Sequence, residues 1–190
     1  MYLVVRRGAV EELDRLGELT GAAAVACLRE FAGDPAIDEW RPRPGKVVLR
    51  ARSPAQWERV LAEPHAGDED VVVALPPRRR SERGEALERL QAMSTALMPP
   101  PSEGRGPVTY VLNPRWAMSS GKTLAQIAHA AVIASADQDW VRAGCPARVI
   151  APDEAAFDAL TGSPECVGEV ADAGLTEVPP GTITVRVLRG

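Results

Sequence analysis

The sequence predicts an α/β chain made of two units in tandem. Short apolar runs alternate with longer stretches of helical spacing, the pattern of strands and helices stacked in layers. A Pro- and Gly-rich break, "PPPSEGRGP" at 99–107, divides the chain near its middle. The order of elements before that break returns after it.

Taken in order, "YLVVR" (2–6) reads as a short buried strand and the Ala-rich "LGELTGAAAVACLREFA" (16–32) as a helix. "KVVLRA" (46–51) alternates weakly, as a strand does. "SPAQWERVLAE" (53–63) opens with Ser then Pro, an N-cap and first turn. "DVVVAL" (70–75) is a third strand. "SERGEALERLQAMSTALM" (81–98) carries Leu87, Leu90 and Leu97 near helical spacing and stops at three prolines, through which a helix cannot continue. After the break, "VTYVLN" (108–113) is a strand and "GKTLAQIAHAAVIASA" (121–136) a helix. "ARVIA" (147–151) is the next strand, and "PDEAAFDALTG" (152–162) is a helix led by acidic residues, which suit a helix N-terminus. "VGEVADAG" (167–174) reads as a strand and turn, and "TITVRVL" (182–188) as the last strand.

Aromatic residues strengthen the repeat. Trp40 and Trp140 each follow the long helix of their half and precede a strand, and Trp57 and Phe157 take equivalent places in the short second helix. "KVVLRARSPAQWERVL" and "ARVIAPDEAAFDAL" align with a one-residue gap. The expected organisation is a first unit at 1–80, a connecting helix and linker at 81–106, and a second unit at 107–190.

Composition narrows the chemistry. With 45% hydrophobic and 25% charged residues the chain has material for a true core. Three cysteines, Cys27, Cys145 and Cys166, without CxxC spacing argue against a disulfide framework and a zinc knuckle. Only His65 and His129 are present, so no histidine-rich metal site is expected, and no metal. No leader pattern and no membrane span is seen, and the expected compartment is the cytoplasm. The net charge of -4 means that any contact with nucleic acid must use a local cluster of cations.

"MSSGKTLAQIAHAA" (118–131) carries the strongest chemical signal. Its "GKT" ends like a phosphate-binding P-loop, but the leading glycine of that motif falls on Trp116, and such a loop could not wrap its amides around phosphates. At 100° per residue, Lys122, Gln126 and His129 stand at i, i+4 and i+7 and form one polar stripe. Leu124, Ile127, Ala128 and Ala131 lie opposite and suit a sheet. Ser119 or Ser120 can cap the helix, leaving backbone donors and a partial positive charge at its start. By itself this spacing also suits a solvated helix face.

A second segment, "ADAGLTEVPPGTITV" (171–185), brings Asp172, Thr176 and a rigid "PPG". Together, "GKTLAQIAHAAV" and "DAGLTEVPPGTITV", separated by a strand and a helix, resemble the type II peptidyl-tRNA hydrolase family over residues 108–185. The resemblance implies a mixed four-stranded sheet with helices on both faces, and the repeat of elements makes it expected twice, in tandem. It implies hydrolysis of the ester joining a peptide to the terminal ribose of tRNA, with no metal or organic cofactor. The implied catalytic residues are His129, Asp172, Lys122 and Thr176, and the implied substrate contacts are Gln126, Ser120 and Gly121. An oxyanion needs donors, from Lys122 or from amides at the helix start. Water needs a base, and His129 is suited by its ordinary pKa. Asp172 would orient His129 or activate water directly, and Thr176 would position ribose or water; which residue is the base stays open.

The chain departs from the family at three places. Ser120 stands where a further lysine is usual, Leu175 stands where an arginine follows D-A-G, and "RVLRG" replaces the usual C-terminal G-I-G-P. From position 101 on there are seven basic and ten acidic residues. In the first unit, Glu18, Ala22 and Val25 take the places of Lys122, Gln126 and His129, so that unit is expected to lack a catalytic site. It does carry "WRPRPGK" (40–46) and "PPRRRSER" (76–83), and Arg78, Arg79 and Arg80 are the expected phosphate contacts. Family members are often dimeric, so the chain is expected to be a homodimer or a monomer whose first unit stands in for the partner. The other reading is a non-catalytic module that binds RNA, a nucleotide or a protein.

Overall fold

The computed structural model describes residues 1–190 and contains two mixed sheets. In the first, β1 (Tyr2–Arg6) runs parallel to β2 (Val47–Ala51), the chain returning between them through α1 (Leu13–Glu30) and α2 (Pro35–Trp40). After α3 (Pro54–Leu61) come β3 (Ala66–Asp68) and β4 (Val72–Leu75), with β4 antiparallel to both β1 and β3. α4 (Gly84–Glu88) and β5 (Gln91–Ala92) follow, and β5 adds antiparallel to β2. The sheet order is β3-β4-β1-β2-β5.

The second sheet is formed by β6 (Val108–Leu112), β7 (Ala147–Ile150), β8 (Cys166–Ala171) and β9 (Ile183–Arg189), in the order β7-β6-β9-β8. α5 (Ser120–Ala134) and α6 (Gln138–Arg142) join β6 to β7, and α7 (Glu154–Ala159) joins β7 to β8. β6 and β7 are parallel, while β9 is antiparallel to β6 and β8. Apart from β5, the first sheet has the same strand order and the same pairing senses.

The apolar runs of the central strands are unbroken because both faces of each sheet are covered. Leu3 and Val5 of β1 enter the core between the sheets, whereas Tyr2 and Val4 face outward, the period-two alternation of a strand. Outside the first sheet, Trp57 and Val60 of α3 and Leu87 of α4 complete the outer cluster. Outside the second, Phe157 of α7 packs with Val111, Ile150 and Leu188. The result is a mixed four-stranded sheet with helices on both faces, as expected for residues 107–190.

Between the sheets lie α1 and α5, packed on each other, and one cluster of 33 buried residues draws on both halves of the chain. That position explains the small residues. A Cβ on Gly21 would stand 3.0 Å from the Ala131 Cβ, and one on Gly17 would stand 2.7 Å from Val149 Cγ2. α1 also completes the exposed edge of the second sheet: Asp14 Oδ1 accepts from the Val149 amide at 2.7 Å, and Glu18 Oε1 from the Ala147 amide at 3.3 Å. Glu18, which the sequence comparison of the two halves set opposite Lys122, thus serves the edge of β7.

The expected helix over 81–98 is not there. Only 84–88 is α-helical, preceded by a 3-10 turn at 80–82, and of the rest 91–92 pair as a strand while 93–97 are irregular. Leu87 and Leu90 pack outside the first sheet while Met93 belongs to the core between the sheets, so the chain must cross the sheet edge. It does so as β5, satisfying the open edge of β2, which a continuous helix would leave unpaired. Three short elements escaped the sequence reading: α2, α6 and β3. The two helices begin at Asp34 and Asp137, whose carboxylates cap them. No helix is long and apolar enough to cross a membrane.

Candidate functional site

Asp172 anchors the site. It follows β8, and its backbone extends the ladder with β9: its amide donates to Thr182 O at 2.9 Å and its carbonyl accepts from Gly181 at 2.8 Å. One carboxylate oxygen accepts from the Gly174 amide at 2.8 Å, closing a tight turn. Gly174 has φ 74°, and a side chain there would also run into Pro180, which accounts for the glycine and the proline of this segment together. The other oxygen accepts from Gln126 Nε2 at 2.7 Å and forms an ion pair with Lys122. Gln126 is fixed in turn, its Oε1 accepting from Thr184 Oγ1 at 2.9 Å. Asp172, Gln126 and Thr184 are buried. Burial pushes the Asp172 carboxyl up, but hydrogen bonds from Lys122, Gly174 and Gln126 together outweigh it and hold it below the usual carboxylate range. Asp172 is therefore ionised and fully engaged.

The helical spacing sets Lys122, Gln126 and His129 along one wall of a cavity of about 720 Å³, with Asp172 and Thr176 on the same lining. Thr176 is exposed at the rim, beside Leu175, which is 86% exposed. The opposite wall comes from the first half: Arg43 to Val48, just before and at the start of β2, with Ala92 and Met93 from the crossing segment. The five residues that the resemblance singled out thus gather at one cleft, and that cleft lies at the seam of the two sheets.

Across the seam, Lys46 Nζ stands 3.0 Å from His129 Nδ1. The Lys46 ammonium also lies over the Trp40 ring, 4.8 Å from its centroid, and the Trp40 indole donates to Gly45 O at 2.7 Å. Trp140 makes the matching bond, to Pro146 O at 2.9 Å, just before β7. Burial lowers the Lys46 pKa to about 7. His129 is lowered to about 3, by burial first and then by the charges of Lys46 and Lys122, against a weaker opposing pull from Asp172. The imidazole is neutral throughout the physiological range.

The start of α5 is not the open set of donors that its sequence suggested. The Ser119 hydroxyl accepts from the Lys122 amide at 3.3 Å, and the Glu177 carboxylate takes both the amide and the hydroxyl of Ser119 at 2.6 Å each. The Gly121 amide donates to Met93 O at 3.2 Å and the Ser120 hydroxyl to Thr95 O at 2.6 Å. Gly121 borders the cavity with its amide already engaged, and Ser120 faces the crossing segment instead. Neither offers a substrate contact in this arrangement, because the passing backbone takes their donors.

Arg78, Arg79 and Arg80 are likewise outside the cavity wall. Arg78 pairs with Glu63 at 3.0 Å and Arg79 with Glu39 at 3.4 Å. The cations that do reach the cleft from the first half are Arg43 and Lys46, both from "WRPRPGK". The sequence marked that loop, with the arginine run, as a source of phosphate contacts, whereas Glu177 gave no signal, since its partner is 58 positions away. No family model, curated protein or solved structure matches this chain.

Proposed function

We propose that the protein hydrolyses the ester between a peptide and the terminal ribose of tRNA, releasing free tRNA. The observation that carries this reading is the convergence of Lys122, Gln126, His129, Asp172 and Thr176 on one cleft, with Asp172 locked between Lys122 and Gln126. The two segments that supply these residues are the two that resemble the type II peptidyl-tRNA hydrolases.

The chemistry follows from the parts. Asp172 fixes the Lys122 ammonium at the cleft, where it is a donor for the oxyanion that forms when water adds to the ester carbonyl. Neutral His129 has a ring nitrogen able to accept the proton of that water. Thr176, at the rim, offers a hydroxyl to the ribose or the water. The single-stranded end of a tRNA suits the cleft, whose first-half wall supplies Arg43 and Lys46 as cations. The first unit acts here as a wall rather than a second site. Glu18, Ala22 and Val25 replace the polar stripe, and residues 69–71 join β3 to β4 where 172–182 join β8 to β9. Such a substrate implies a cytoplasmic protein.

A second reading, binding without turnover, is favoured by the engaged donors at the start of α5. Incubation of the purified protein with an N-blocked aminoacyl-tRNA separates the two. The proposal expects free tRNA and the N-blocked amino acid; retention of intact ester in a stable complex would favour the second reading.

A further inference from the structure

We propose that Lys46 is the terminal proton acceptor for His129, so that the hydrolytic site is complete only when the first unit contributes this residue. The inference rests on the ester-hydrolase reading above.

His129 alone is a poor resting place for a proton, since burial and two lysines oppose its charged form. The side-chain hydrogen bond of Lys46 is to His129 Nδ1, at 3.0 Å, and the same nitrogen lies over the Trp40 ring, 4.8 Å from its centroid. Two states of that one bond are possible. When Lys46 is an ammonium it donates to Nδ1, the ring proton sits on Nε2, and Nε2 cannot accept from water. When Lys46 is a neutral amine, Nδ1–H donates to Nζ and Nε2 is left with a lone pair. In the second state, water oxygen bonds to the ester carbonyl carbon while its proton passes to Nε2 and the Nδ1 proton passes to Lys46. Collapse of the tetrahedral intermediate breaks the bond to the ribose oxygen. The same relay then runs backward: the Lys46 proton returns to Nδ1, and the Nε2 proton goes to the ribose oxygen. The products are a carboxylic acid and an alcohol, and Lys46 ends neutral as it began.

Burial of Lys46 at the seam favours the neutral amine, against the pull of the Trp40 ring on the ammonium. Lys122 and His129 share its cleft from α5, Arg43 from its own loop, and Asp172 and Glu177 from the segment between β8 and β9. The Asp172 carboxylate is already occupied by Lys122 and Gln126. With its pKa lowered to about 7, Lys46 is able to hold either state near neutrality.

The test is the pH dependence of turnover on an N-blocked aminoacyl-tRNA for the full chain and for Lys46→Met and Lys46→Arg. The wild-type kcat/KM should climb about tenfold per pH unit below pH 7 and then level. Lys46→Met keeps a long unbranched side chain without the amine and should lose about 100-fold at neutral pH, the scale of a lost acid–base group. Lys46→Arg should not rescue, because a guanidinium does not deprotonate. Should Lys46→Met fail to fold, Lys46→Arg carries the test. Full activity in Lys46→Arg would overturn the relay and reduce Lys46 to a fixed charge. Unchanged rate and pH profile in Lys46→Met would remove it from the reaction. A wild-type protein without hydrolysis would defeat the functional reading itself, and the relay with it. A separate readout is the ¹⁵N spectrum of the His129 ring: the tautomer should switch near pH 7 in the wild type and not in Lys46→Met.

Discussion

The amide of Gly121 donates to the carbonyl of Met93 at 3.2 Å, which ties the start of α5 to the segment that crosses from the outer face of the first sheet. A Cβ on Gly121 would collide with that carbonyl oxygen, a backbone atom that cannot turn aside. Gly121→Ala should therefore cost about 1–3 kcal/mol, as overpacking does. Denaturant unfolding of the two proteins measures the loss; an unchanged midpoint would mean that the crossing segment yields without strain.

The Lys122–Asp172 pair makes a second prediction. Its side chains are 14% and 6% exposed, so removing one partner leaves the other charge poorly solvated. Lys122→Met alone should destabilise the protein by about 3–5 kcal/mol. Lys122→Met with Asp172→Asn should recover part of that loss, because no unpaired charge remains. A double-mutant cycle on unfolding free energies gives the coupling directly. Independent, additive effects would show that the pair does not hold the site.

Stability should fall with acid through a window set by His129. Its folded pKa is about 3, against 6.5 for the ordinary side chain, so the unfolded chain binds more protons between those values. Stability from this group is fully present above 6.5 and is lost as pH falls toward 3. His129→Gln should remove this share of the slope. Lys46→Met, by removing the charge with the largest effect on His129 after burial, should raise the pKa of His129, which its ring resonances report. It should also stabilise the fold by about 0.5–2 kcal/mol, because a buried cation is gone.

Cations at the cleft should govern tRNA binding more than the arginine run. Arg43 borders the cavity, whereas Arg78 and Arg79 are paired with Glu63 and Glu39. Arg43→Ala should reduce the slope of log K against log salt by about one, as one lost phosphate contact does. The triple change Arg78→Ala, Arg79→Ala and Arg80→Ala should reduce it by less per residue. Fluorescence titrations across a salt series decide this, and the reverse order would move the tRNA path to the arginine run.

Local spacing made much of the second half legible. The stripe of Lys122, Gln126 and His129 follows from helical geometry, and α5 and the strands around it could be read from apolar runs. What could not be read depends on how two sheets enclose α1 and α5. Lys46 meets His129, Met93 meets Gly121 and Glu177 meets Ser119 only through that long-range arrangement. The expected helix over 81–98 failed for the same reason: its leucine spacing suited a helix, but the open edge of β2 and the split burial of Leu90 and Met93 required an extended crossing. The alanines of α1 signalled a helix, not that it would have a sheet on either side.

The most direct test of the proposed activity is a single-turnover measurement with the protein in excess over an N-acetylated dipeptidyl-tRNA, for the wild type and His129→Ala. Excess protein removes substrate binding and product release from the rate. The account predicts conversion to free tRNA by the wild type and a loss of at least about 100-fold in His129→Ala, with tRNA affinity little changed. Equal rates for the two proteins, or an intact ester in both, would contradict it.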